Sequence, residues 1–423
     1  MYIAYLYWIC FMDYRRSILV VLFITFVQYY NYSLFGISAV NLSNAFLCPS
    51  NDAQQLTLFF LIFALATIAK PLGSIIFGLI GDNYGRSVAL KSSSAILIIS
   101  SILIIVLPEY SKVGIASSIT MLLARMLVLM SVASEGDGAR VYITELTGKK
   151  SQYLSNGFIV CFTQVGVLFA SLSSFVLDYY QLNFRILFLV GALLGTTAFL
   201  LRGFVIETDE FYKLKASGSK ISIHDLRTII SSVPRTFGAF IILFGAIGGI
   251  YTFHVIFMYS YFIKVLKLQT PYTIKMVQTV SILGFLISSI CSGYIADRYK
   301  NITRQICFGI KILVATTLIN MIVLILYDTA LLSLHFLSVL IIPIYSCILQ
   351  IYIKNNMPRV GIYSLYSLAH SIGSIVLSGT TPMISNYCYS STELLYAPYI
   401  HLLFLIALLY ASFCYINKRA KSV

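Results

Sequence analysis

The chain has 423 residues, 59% of them hydrophobic and only 10% charged, with a formal net charge of +14 at neutral pH. Soluble domains carry roughly a quarter charged residues, so this composition excludes a dispersed globular protein. The basic excess sits in short turns between apolar runs, which excludes a nucleic-acid surface and points to membrane topology signals instead.

Met1 to Met12 is apolar, too short to cross a bilayer, and followed by no small-residue cleavage site. It is expected either to lie on the membrane surface or to precede the true start. Twelve helical spans follow, near 17–42, 55–80, 88–107, 115–145, 154–177, 185–205, 236–262, 272–296, 305–326, 331–353, 362–385 and 395–416. With the N-terminus inside, inner segments hold 20 of the 29 Lys and Arg residues and outer segments only 4. Both termini are therefore expected in the cytoplasm. The longest polar segment, 206–235, is expected to be a cytoplasmic linker, with a short amphipathic helix starting at His224. The expected architecture is an all-α polytopic membrane protein, with one six-helix bundle at 1–205 and another at 236–423. No CxxC or Cys/His cluster exists, so no metal and no cofactor are expected.

Between the second and third spans the chain reads Gly78-x-x-x-Asp82-x-x-Gly85-Arg86. A weaker echo, Gly293-x-x-x-Asp297-Arg298, begins 215 residues later, about half the chain away. Glycine at 78 permits close helix approach and at 85 a tight turn. Asp82, at an inner helix end, is placed to accept bonds from a neighbouring helix terminus or an arginine. Such contacts would latch one half against the other.

The first turn resembles the signature of the major facilitator superfamily. Lys70-Pro71-Leu72-Gly73 before it is similar to the Arg-Pro-Leu-Gly of the metabolite:proton symporter family, which includes proline/betaine transporters. Ser134-Glu135-Gly136-Asp137-Gly138-Ala139 and Tyr142-Ile143-Thr144-Glu145 resemble two further motifs of that family. So do Asn183-Phe184-Arg185-Ile186, Glu207-Thr208-Asp209-Glu210-Phe211 and Thr380-Thr381-Pro382. The resemblance runs from about residue 25 to residue 416. It implies the major-facilitator fold, proton-coupled secondary transport of a small solute, and a bacterial inner-membrane location. The latch it implies comprises Gly78, Asp82, Gly85, Arg86, Glu145, Gly293, Asp297 and Arg298.

An ionisable residue inside a span is a functional hypothesis by default. Gln28, Lys70 and Glu135 each lie eleven residues from an inner helix end, roughly 16 Å deep at 1.5 Å per residue, which suggests a shared cavity. Glu135 is the leading coupling carboxylate, with Lys70 as its partner or that of an anionic substrate group; a buried structural ion pair is the competing reading. Asp137 and Arg140 share a helix face and read as a compensating pair. Gln28 and Asn31 stand where the family has carboxylates, and an amide exchanges no proton at ordinary pH. Tyr251, with other tyrosines of spans one and seven, could face a quaternary ammonium or simply pack. His254 and His370 are either titrating or structural.

The expected function is alternating-access transport of a small zwitterionic or carboxylated solute. An uncoupled facilitator or exchanger, and a transporter-like sensor, stand as alternatives. Partners are the solute, protons and the lipid bilayer; no nucleic acid is expected. Oligomeric state is open, with a monomer as the working expectation.

Overall fold

The computed structural model describes residues 2–48, 58–59, 61–62, 65–216, 220–267, 269–299, 301–326 and 330–422. Among them there are helices and no strands. Ten helices of this set are long and apolar enough to cross a membrane. Polarity is arranged as lipid requires. Apolar side chains such as Ile99, Leu172, Phe175, Ile287, Phe308 and Ile322 are exposed, while Ser93, Ser94, Ser100, Ser101 and Ser131 are buried. Backbone groups are satisfied within the helices, the one open-ended solution available in hydrocarbon.

The N-terminal half contains α1 (Tyr2–Ile37), α2 (Ala39–Phe46), α3 (Ala69–Asn83), α4 (Arg86–Val106), α5 (Ile115–Thr147), α6 (Gln152–Tyr179) and α7 (Arg185–Leu201). Helix α1 runs unbroken from Tyr2 to Ile37. The expected first span to residue 42 ends earlier, because the chain leaves the helix at Ser38 and restarts as α2. The expected span 55–80 lies partly outside the described residues; α3 is its described end. Two short helices follow, α8 (Asp209–Ala216) and α9 (Ile223–Ser232). The C-terminal half contains α10 (Pro234–Thr252), α11 (Pro271–Arg298), α12 (Ile302–Ile325), α13 (Leu331–Asn355), α14 (Ile362–Gly373), α15 (Thr381–Thr392) and α16 (Ala397–Ser422). Two spans are interrupted. After α10 come a π-turn at Phe253–Phe257, one α-turn at Met258–Tyr261 and a second π-turn at Phe262–Leu266. A π-turn at Ser374–Ser378 follows α14.

The chain packs as two compact units that exchange short segments relative to chain order. The first is Met1–Leu146, Phe162–Leu226 and Arg359–Leu368; the second is Thr147–Cys161, Arg227–Pro358 and Ala369–Val423. In the first, α7 packs on α1 and α4 around Val20, Ile24, Val27, Leu34, Leu97, Ile104, Leu187 and Phe188. In the second, α13 packs on α11 and α12, and α10 on α16. Helix approach there is set by Gly373. A Cβ at Gly373 would run into the Ile241 carbonyl and stand 2.7 Å from the Gly245 nitrogen, whereas Gly238 on the same α10 has nothing within 4 Å.

Gly373→Ala should therefore destabilise the protein by roughly 1–3 kcal/mol through overpacking, and Gly238→Ala should be neutral or stabilising by up to about 1 kcal/mol. Thermal unfolding of both variants in detergent checks the order. Equal loss in both would contradict the packing described.

Candidate functional site

The turn between α3 and α4 is built as its sequence suggests, and its partners are now visible. Gly85 has φ 120°, a conformation open to glycine. Asp82 accepts hydrogen bonds from the backbone N–H groups of Tyr363 (3.3 Å) and Ser364 (3.0 Å) and from the Ser364 hydroxyl (2.7 Å). Those amides lie in the first turn of α14, where N–H groups have no intrahelical acceptor, and a carboxylate there also meets the positive end of the helix dipole. A Cβ on Gly78 would come within 2.7 Å of the Ser364 Cα, so only glycine admits this approach. One helical turn further along, the hydroxyls of Ser74 and Ser367 lie 2.8 Å apart, and Ser367 donates to the Ala133 carbonyl at 2.7 Å.

Arg86 binds this turn to the rest of the unit. It is fully buried and donates to the Gly81 carbonyl at 2.7 Å, to Asp82 at 3.4 Å and to Glu145 at 3.4 Å. Glu145 also accepts from the Thr208 hydroxyl at 2.7 Å. Glu207 caps α4, accepting from the N–H groups of Arg86 and Ser87 at 3.1 Å each. Burial pushes the Glu207 carboxyl up from the usual carboxylate range; the N–H donors of Thr208, Ser87 and Arg86 and the Arg86 guanidinium hold it back. Asn83 clasps the backbone of Ile221 in both directions at 2.7 Å. The segment from 206 to 226 is thus docked on the first unit at both ends and is no free tether. Ser222 and Asp225 form a capping box at the start of α9, with Asp225 accepting from the Ser222 N–H at 2.8 Å. These bonds hold the exposed Asp225 carboxyl below its usual range.

The second unit repeats the device with its own residues. Asp297 accepts from the backbone N–H groups of Tyr153 (3.1 Å) and Leu154 (2.8 Å), in the first turn of α6. A Cβ on Gly293 would stand 2.7 Å from the Leu154 Cα. The parallel stops at Arg298. It is exposed and stacks its guanidinium on Tyr294, one turn back, at 4.7 Å. It does not take the bridging place of Arg86: by sequence Lys300-Asn301 stand where the first turn has Gly85-Arg86.

The expected pairing of Glu135 with Lys70 gives way to a different partner. Glu135 is fully buried, forms an ion pair with Arg202, and accepts from the Ser93 hydroxyl at 3.0 Å. Gln28 donates to Ser131 at 2.9 Å, and Ser131 donates to the Ser93 carbonyl at 2.8 Å. Gln28 and Glu135 are therefore joined by a packed polar chain rather than by a shared cavity. Asn31 is also buried in helix contacts, donating to the Gly191 carbonyl at 3.3 Å and accepting from Ser101 at 3.1 Å. Asp137 and Arg140 form a buried ion pair at 2.9 Å. Lys70 is half-buried, with Nζ 5.9 Å from the centre of the Tyr32 ring; Arg125 lies over the same ring at 4.8 Å and donates to the Tyr32 carbonyl at 2.9 Å.

In the second unit Tyr251 packs edge-on against Phe285 at 5.7 Å, and His370 lies against Phe244 at 4.9 Å. His254 is buried, bonds the Ile250 carbonyl at 3.0 Å and stacks on His335 at 5.4 Å. Two functional-looking residues, Arg202 and His335, escaped the sequence reading. Arg202 was counted among the inner loop charges because it ends an apolar run. His335 stands near the start of the tenth span and carries the signal that every ionisable residue inside a span carries.

Ten described helices long and apolar enough to cross a membrane, with buried ion pairs among them and carboxylates seated on helix ends in both units, describe a multi-pass membrane protein. The chain belongs to the Major Facilitator Superfamily, whose family model matches residues 21–378. Over 416 residues it is 24% identical to a "putative proline/betaine transporter" of Staphylococcus aureus (strain COL), covering 94% of this chain and 87% of that protein. Over 308 residues it is 26% identical to the citrate-proton symporter of Salmonella typhi, covering 69% of this chain and 68% of the relative. The fold is similar to the crystal structure of FucP in the outward conformation, with a TM-score of 0.69 at 13% identity, over 96% of this chain and 99% of that one. It is also similar to the proton:xylose symporter XylE bound to 6-bromo-6-deoxy-D-glucose, with a TM-score of 0.67 at 13% identity, over 95% and 96%. As a member of this family the chain is a transporter and not an enzyme.

Asp82→Ala removes three bonds to α14 and an arginine contact, and Asp297→Ala removes two backbone bonds. With charged hydrogen bonds worth about 1.5–3 kcal/mol each at most, Asp82→Ala should lower the unfolding temperature in detergent more than Asp297→Ala does. The reverse order would contradict the geometry.

Proposed function

We propose that this protein is a proton-coupled symporter of a small carboxylated or zwitterionic solute in a bacterial cytoplasmic membrane, with both termini in the cytoplasm. The carrying observation is the pair of cationic side chains about Tyr32: Lys70 at 5.9 Å and Arg125 at 4.8 Å, on helices predicted to cross the bilayer. Two positive groups over one aromatic ring, in a medium of low dielectric, select an anionic group. Proline, betaine and citrate, named for the relatives, all carry a carboxylate. Lys70 and Arg125 are the groups proposed to receive it, with Tyr32 as the apolar wall between them.

The Asp137–Arg140 pair keeps its own charge balanced and leaves that selection to Lys70 and Arg125. Transport by alternating access then requires Asp82 to release Tyr363 and Ser364 in each cycle, and Asp297 to release Tyr153 and Leu154. Gly78 and Gly293 let these contacts form closely, and Glu145 holds Arg86 ready to reseat Asp82.

A second reading, an uncoupled facilitator, is favoured by one feature: Gln28 and Asn31 are amides, and Glu135 is already neutralised by Arg202. Vesicle uptake of labelled proline, betaine and citrate, with and without an inward proton gradient, decides between the two. Accumulation above equilibrium only with the gradient supports symport, and equilibration in both conditions supports the facilitator. Lys70→Met should raise KM for the transported carboxylate by roughly 10-fold or more, the loss of one charged hydrogen bond. An unchanged KM would remove Lys70 from the site.

A further inference from the structure

The second unit holds a buried pair of histidines that the transport reading leaves unused. His254 lies in the π-turn after α10, and π-turns recur at functional sites. His335 lies in the second turn of α13. Both are fully buried, and their rings stack 5.4 Å apart with 20° between planes.

The hydrogen bonds fix both tautomers. Nδ1–H of His254 donates to the Ile250 carbonyl at 3.0 Å, and Nε2–H of His335 donates to the His254 carbonyl at 2.9 Å. In the neutral form each ring then keeps one basic nitrogen, Nε2 of His254 and Nδ1 of His335, and burial without a counter-charge favours that form. Both nitrogens are buried without a hydrogen-bond partner, and the ring of Tyr259 meets His335 edge-on at 5.2 Å. Buried polar atoms are normally satisfied. Two unsatisfied ones on two touching histidines mark a place where something binds.

A proton is the ligand a bare imidazole nitrogen takes, and the closed packing opposes its charge. Phe262 covers His335 at 5.1 Å and Phe253 covers His254 at 5.3 Å. The titratable groups nearby are tyrosines: Tyr259 on the turn after the π-turn, Tyr399 of α16 against Phe253, and Tyr389 of α15 against Tyr261. Ser281 of α11 adjoins Tyr259. Among the described residues no carboxylate, lysine or arginine acts on either imidazole. An imidazolium here would have no counter-charge, and two would repel each other, so the pair accepts at most one proton and only as its packing opens.

We propose that His254 and His335 form a proton-binding switch, in which uptake of one proton by the pair unpacks the π-turn at Phe253–Phe257. The pair stands near the last turn of one spanning helix and the first of another, which is the outer end on the orientation given by the basic residues. External acid therefore opens this end of the second unit. The inference stands apart from the proposed solute and its coupling.

The test is hydrogen–deuterium exchange of the peptide covering 250–262 in the detergent-solubilised full chain, at pH 6 and pH 8, corrected for intrinsic exchange. The comparison is with the double variant His254→Asn/His335→Gln. Asn and Gln keep a donor at the Nδ1 and Nε2 positions but take up no proton. The wild type should exchange about 4- to 7-fold faster at pH 6, the factor that uptake of one proton by one or either of two opened imidazoles of ordinary pKa near 6.5 implies between these pH values. The variant should show equal protection at both values. Equal exchange in the wild type at both pH values, or an acid response that persists in the variant, overturns the proposal. Should the double variant fail to fold, His254→Asn and His335→Gln are measured singly in the same way: a reduced acid response in either supports the proposal, and an undiminished response in both is also contradictory. Because no solute enters the experiment, its outcome is separate from that of the uptake panel.

Discussion

Each unit depends on one interaction: an aspartate that accepts the free amides of a helix's first turn. Helix starts expose N–H groups that water would satisfy and hydrocarbon does not. Asp82 takes the amides of the second and third residues of α14, and Asp297 takes those of the second and third residues of α6. The short segments 359–368 and 147–161 belong to their units through these contacts. A carboxylate on backbone amides is strong but short-ranged. It closes tightly at hydrogen-bond distance and contributes little once separated, which suits the making and breaking of the contact proposed above.

The two copies differ in what stands behind the acid. Asp82 is backed by Arg86, which is held by Glu145 and by the Gly81 carbonyl, and Glu207 caps the same helix. Asp297 has its backbone partners while Arg298 stacks on its own helix. The first turn is thus wired to the docked segment 206–226, and the second is simpler. Elsewhere two buried carboxylates are neutralised by arginines, Glu135 by Arg202 and Asp137 by Arg140. Each pair is costly to break from one side, since removing either partner leaves an uncompensated charge in the interior.

How much of this the sequence shows follows from distance along the chain. The turn at 78–86 was legible because its glycines, acid and arginine are local, and helical spans were legible because their period and length are. The Asp137–Arg140 pair was legible at a spacing of three. Asp82's acceptor role was anticipated in kind, but Tyr363 and Ser364 lie some 280 residues away and nothing local names them. Glu135 was assigned the wrong partner for the same reason: depth along a helix places Lys70 level with it, but helix rotation, which depth does not reveal, turns Glu135 toward Arg202. Gln28 looked like a cavity residue from its depth, and it and Asn31, amides where the family has carboxylates, are fastened between helices. π-Turns, which set His254 against His335, leave no pattern in hydropathy.

The central claim is that segment 359–368 must part from α3 whenever the transporter turns over. The hydroxyls of Ser74 and Ser367, 2.8 Å apart, offer a direct probe. With the native cysteines replaced, Ser74→Cys/Ser367→Cys should oxidise to a disulfide, a bond short enough to hold the two helices in contact. Uptake of labelled proline or citrate by vesicles is then measured before and after reduction. The account predicts arrest in the oxidised protein and recovery on reduction. Full transport by the cross-linked protein would contradict it.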